Sequence, residues 1–62
     1  MEMRFKPVKE GKQEVNQRVC TTLEDAADYC QLLRRDGYTV IAYDEEGNQY
    51  QLSEDGRLER LP

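Results

Sequence analysis

The sequence predicts an α+β fold of order β-β-α-β-β-β, with one helix packed on one side of a mostly antiparallel sheet. Two observations carry this. Leu23 to Asp36 reads as a capped amphipathic helix, and a five-residue pattern with glycine fourth occurs three times, at Val8-Lys9-Glu10-Gly11-Lys12, Asp44-Glu45-Glu46-Gly47-Asn48 and Ser53-Glu54-Asp55-Gly56-Arg57. The 62 residues make one domain at most. A chain of that length buries only about 60% of the surface its unfolded form exposes, so its stability is expected to be thin.

Each glycine pattern reads as a hairpin, a type I turn closed by a left-handed residue. If the first and fifth residues pair, the register of every strand follows by counting outward. From the first turn, Phe5 is expected to face Val15, Met3 to face Gln17 and Met1 to face Val19. That puts Met1, Met3, Phe5, Pro7, Val15 and Val19 on one side. Pro7 cannot donate to a ladder, so the first strand is expected to lie at a sheet edge or to end there.

The helix follows. Thr21 or Thr22 can cap it, and Thr21-Thr22-Leu23-Glu24 fits the capping box. Glu24 and Asp25 suit the positive end of the helix dipole, Arg34 and Arg35 the negative end, and Gly37 supplies the stop. Leu23, Ala26, Ala27, Tyr29, Cys30 and Leu33 fall in one arc of about 160° that faces the sheet, with Leu32 outside it. From the second turn, Ala42 faces Tyr50 and Val40 faces Leu52, with Tyr38 on the same side; the third turn adds Leu58 opposite Leu52. All three hairpins thus gain one apolar side. Residues 44–52 are nearly repeated at 53–61, and Tyr43-Asp44-Glu45-Glu46-Gly47-Asn48 resembles the YDxxGN element of tyrosine-aspartate repeat proteins. Such proteins need many copies, whereas two copies follow a capped helix here, so the resemblance implies hairpin chemistry and no family is assigned.

Composition narrows the function classes. Nine Lys and Arg against 13 Asp and Glu give a net charge of −4, and 37% hydrophobic with 35% charged residues is a soluble globular balance. No apolar run approaches the roughly 20 residues of a membrane span. Met1 to Lys6 lacks a hydrophobic signal core, which with only two cysteines makes a reducing cytoplasmic location the expectation. There is no histidine, which removes the usual neutral-pH base, and a zinc site on Cys20 and Cys30 would need two carboxylates to complete it. Cys30 reads as a small apolar residue on the buried helix face. Asp44, Glu45, Glu46 and Asn48 offer oxygens but not the spacing of a calcium loop. The chain is accordingly expected to be no enzyme and to use no cofactor and no metal.

The uncovered sheet side is the surface on which function is expected. Counting outward places Arg4, Lys6, Glu14, Asn16, Arg18, Thr39, Ile41, Tyr43, Gln49, Gln51, Ser53, Arg57, Glu59 and Leu61 there, a net charge of +2 on a protein of −4. Ile41, Tyr43 and Leu61 are large apolar groups that a purely solvated face has little reason to carry, and aromatic and Arg residues are enriched at protein interfaces. The expected activity is a non-enzymatic binding module: a small regulator, inhibitor or self-associating subunit working through this side or the strand edge at Met3 to Pro7. Its partner is expected to be a protein or a second copy of itself, with Ile41, Tyr43, Gln49, Gln51, Arg57, Leu61, Arg4, Lys6 and Arg18 in contact. A second class, nucleic-acid binding, would use the same cations on phosphates, Tyr43 for stacking and Asn16, Gln49 and Gln51 on base edges, against an acidic pI of about 4.7. In a variant of the first class the acids of the outer helix face and turns occupy a partner's nucleic-acid site.

Overall fold

The computed structural model describes residues 1–13 and 18–62. Within them the chain forms strands β1 (Arg4–Lys9) and β2 (Lys12–Gln13), helix α1 (Leu23–Arg35), and strands β3 (Thr39–Tyr43), β4 (Gln49–Leu52) and β5 (Leu58–Arg60). The strands make one sheet of order β2-β1-β3-β4-β5, antiparallel at every pairing, and the helix packs on one side of it. The expected α+β fold is therefore the observed one.

The two later turns close as the glycine pattern predicts. In the second, the Gly47 N–H donates to the Asp44 carbonyl and the Asp44 N–H to the Asn48 carbonyl, both at 3.0 Å. In the third, the Gly56 N–H donates to the Ser53 carbonyl at 3.2 Å and the Ser53 N–H to the Arg57 carbonyl at 2.7 Å. Gly47 and Gly56 sit at φ 85° and 86°, the left-handed region that a side chain disfavours. The resulting pairs Ala42↔Tyr50 and Leu52↔Leu58 are those counted from the sequence.

The first turn is different. Glu10 and Gly11 both have positive φ, 54° and 77°, the signature of a two-residue type I′ hairpin. Lys9 then stays in the strand and pairs with Lys12, and Val8 pairs with Gln13 rather than with Lys12. Further along, Met3 pairs with Cys20, not Gln17, and the two exchange N–H···O bonds of 2.7 and 3.0 Å. The one-residue change of pairing at the first turn reverses the alternation counted for the return chain, so Cys20 lies opposite Met3 in the core and Val19 is left out. Met1 and Val19, expected inside, are 54% and 39% exposed. The expected partner Val15, with Glu14, Asn16 and Gln17, lies outside the described residues.

Pro7 was expected to mark a sheet edge, yet β1 is flanked by β2 and β3. Antiparallel residues alternate in which neighbour they bond. Met3 bonds toward Cys20 and Lys9 toward Lys12, so Pro7, in step with both, aims its missing donor away from β3. The five-residue β1·β3 pairing, Arg4↔Tyr43 to Val8↔Thr39, thus loses nothing to the proline.

The helix start is set by Thr22, whose hydroxyl accepts from the Asp25 N–H at 3.0 Å, so the cap is one residue later than the Thr21-to-Glu24 box. Asp36 ends it as the C-cap, followed by Gly37 at φ 94°. Of the helix only Ala26, Ala27 and Cys30 are buried, and Leu23, expected on that face, is 41% exposed in the first turn. The sheet supplies the bulk, with Met3, Phe5, Pro7, Val40, Ala42 and Leu52 buried and Tyr29, Leu33, Tyr50 and Leu58 packed around them. Phe5 and Tyr29 meet edge to face at 4.9 Å. No polar side chain among the described residues is buried.

Two glycines separate backbone strain from contact. A Cβ on Gly47 would meet nothing, whereas one on Gly56 would collide with the Gln31 amide, which donates to the Gly56 carbonyl at 3.1 Å. Gly47→Ala is expected to cost about 1–2 kcal/mol from the left-handed backbone alone, and Gly56→Ala more. Urea unfolding of Gly47→Ala, and of Gly56→Ala in the wild-type and Gln31→Ala backgrounds, checks this: the cost of Gly56→Ala should be smaller without the Gln31 amide, and an equal cost in both backgrounds would refute the contact explanation.

Candidate functional site

Register and alternation assemble the uncovered side in rows. Lys6 pairs with Ile41, Ile41 with Gln51 and Gln51 with Glu59, giving one row from β1 to β5. The next row runs Arg4, Tyr43, Gln49 and Leu61, its last step held by the Leu61 N–H donating to the Gln49 carbonyl at 2.8 Å. Ile41, Tyr43 and Leu61 are half-buried although no element among the described residues covers that side. The Lys6 ammonium stands 5.7 Å from the centre of the Tyr43 ring, a cation–π contact. Lys6, Val8, Gln13, Thr39, Ile41, Tyr43, Gly47 and Gln49 line a shallow depression of about 520 Å³ on this side.

The structure therefore brings together Arg4, Lys6, Ile41, Tyr43, Gln49, Gln51 and Leu61. It does not bring Arg18 to them. The Arg18 guanidinium lies 4.7 Å from the Tyr29 ring, on the helix side, because the one-residue shift of pairing at the first turn reverses the side on which it was counted. Arg57 sits at the third turn, 3.7 Å from the Asp55 carboxylate, and borders a groove with Leu23, Asp28 and Leu58 on the helix side. With both cations elsewhere, the expected excess of +2 is absent among the described residues: Arg4 and Lys6 are matched by Glu2, 3.6 Å from Arg4, and by Glu59. Val8 and Gln13 were missed as site residues, since the sequence reading left Val8 inside the turn. The true two-residue turn places them at the rim of the depression.

The acidic second turn is built around Asp44. One carboxylate oxygen accepts from the Glu46 and Asn48 backbone N–H groups at 3.0 and 2.9 Å, and the other from the Asn48 amide at 3.0 Å and the Tyr50 hydroxyl at 3.2 Å. These bonds, the Asn48 amide foremost, hold its carboxyl below the ordinary 3.8 against the opposing effect of partial burial. Both oxygens are thus engaged in shaping the turn. At the third turn Ser53 takes the equivalent place, accepting from the Arg57 N–H at 3.1 Å and donating to Asp55. Among the described residues no three or more His, Cys, Asp or Glu side chains are grouped to hold a metal ion. Cys20 and Cys30 are free, buried thiols; burial first, then the neighbouring Cys20, pushes Cys30 up to about 11, so it is a protonated core group at neutral pH. No helix among the described residues is long and apolar enough to cross a membrane.

No protein-family model, no curated protein and no solved structure matches this chain.

A carboxyl held below its unfolded value contributes stability that is present above the unfolded pKa and is lost as pH falls through the folded one. The wild-type urea midpoint is therefore expected to fall between pH 5 and pH 2, and Asp44→Asn to flatten that fall while lowering the midpoint at pH 7. Asp55, also held low by the Ser53 hydroxyl, leaves a residual slope. Identical pH profiles for wild type and Asp44→Asn would show that the Asp44 bonds do not persist in solution.

Proposed function

We propose that this protein is a non-enzymatic binding module that recognises protein through the uncovered sheet side. The observation that carries the reading is the clustering of Ile41, Tyr43 and Leu61 in two adjacent rows, half-buried with no covering element among the described residues and set among Gln49, Gln51, Arg4 and Lys6. Apolar groups flanked by flexible polar ones suit a desolvated contact with a polar rim. The small core adds a thermodynamic motive, because burying further apolar surface on a partner raises the stability of a thin domain by mass action. Nucleic-acid binding is the weaker reading: phosphate neutralisation needs a surplus of cations, and Arg4 and Lys6 stand beside equal numbers of carboxylates once Arg18 and Arg57 are placed elsewhere.

A photo-crosslinking residue at Gln49, with one at Asp28 on the outer helix face as control, tests the reading in cell extract. Adducts with protein are expected from Gln49 and not from Asp28, and Ile41→Glu or Tyr43→Ala should remove at least about nine-tenths of them with an unchanged circular dichroism spectrum. Equal adducts from both positions, or none from Gln49, would overturn it.

A further inference from the structure

We infer that the protein recognised by this side is a second copy of the same chain, packed face to face about a two-fold axis that runs parallel to the strands between β3 and β4. The inference rests on the binding-module reading above and adds the identity of the partner. The row Lys6, Ile41, Gln51, Glu59 carries its cation on β1 and its carboxylate on β5, at equal distances from the line between β3 and β4. A two-fold rotation about that line exchanges β1 with β5. Lys6 then faces the partner's Glu59, Glu59 faces the partner's Lys6, and Ile41 lies against the aliphatic part of the partner's Gln51 close to the axis.

The other in-plane axis, across the strands, sets β1 on β1 and brings the Arg4–Lys6 pair of one chain against the same pair of the other. Like charges in register oppose that arrangement, so the charge pattern selects one of the two. Lys6 and Glu59 are three strand spacings apart in one chain, about 14 Å. That exceeds the roughly 10 Å over which exposed charges act at 0.1 M salt, so their complementarity is expressed between chains, not within one. Facing sheets cross at about 30°, which displaces groups some 7 Å from the axis by only about 4 Å, a gap that Lys and Glu side chains span.

Four strands of about five residues make a face of roughly 19 by 17 Å, in the small-interface class, so a dissociation constant in the micromolar range or weaker is expected.

Charge exchange tests the geometry. K6E and E59K should each weaken dimerisation at least about tenfold in sedimentation equilibrium, because each puts like charges together twice per dimer. An equimolar mixture of the K6E and E59K chains should recover wild-type affinity, as should the K6E/E59K double variant, and native mass spectrometry should show the mixed dimer in excess over either homodimer. Circular dichroism at dilution, where all are monomers, should show every variant folded, with K6E melting slightly lower for loss of its contact with the Tyr43 ring. A wild type still monomeric at about 0.5 mM, or single variants that dimerise as wild type and show no preference for mixing, would overturn the inference. Loss of self-association with crosslinks from Gln49 to some other protein would leave the binding-module reading standing. Loss of both would remove that reading too.

Discussion

The pairing of β1 with β3 is the constraint on which the rest depends. It joins the first hairpin to the meander through five consecutive residue pairs from Arg4↔Tyr43 to Val8↔Thr39. Because side chains alternate along a strand, this one register decides that Phe5, Pro7, Val40 and Ala42 point toward the helix while Arg4, Lys6, Ile41 and Tyr43 point away. A slip of one residue would exchange the core and the outer side together. The proline inside β1 is compatible with it only because its missing donor is turned toward the other neighbour, so the ladder most important to the architecture is intact.

The helix contributes by being narrow. Two alanines and a cysteine are its fully buried residues, and the sheet's Met3, Phe5, Val40 and Leu52 rise to meet them. Small groups against large ones allow close approach without voids, as native packing density requires. The absence of buried polar side chains among the described residues follows from the same economy: in so thin a layer the hydrogen-bonding groups reach the rim, as the Tyr50 hydroxyl does at Asp44.

What could be read from the sequence was local. Val40, Ala42, Tyr50, Leu52 and Leu58 were placed correctly because Gly47 and Gly56 each supply the single left-handed residue that a fixed turn type needs. The first hairpin misled because Glu10 also adopts the left-handed region, a choice that nothing in Glu-Gly announces and that shifts the pairing by one. Arg18 and Val19, on the return chain, inherit that shift. Strand order was not legible at all, since β1 meets β3 through contacts between residues more than thirty positions apart. For the candidate site the consequence is specific: Arg4 and Lys6 on β1 lie with Ile41, Tyr43, Gln49, Gln51 and Leu61 as counted, whereas Arg18, on the return chain, and Arg57, at a corner, lie elsewhere.

So slim a spacer between helix and sheet also makes the two sides of the ribbon mechanically one object. A methyl group wedged in beside Ala26 has no slack to occupy; it must lever the helix outward or bow the strands beneath it. Bowing alters the curvature on which Ile41 and Tyr43 are mounted. The shape offered to the outside is thereby governed from within, by residues that never touch what arrives there.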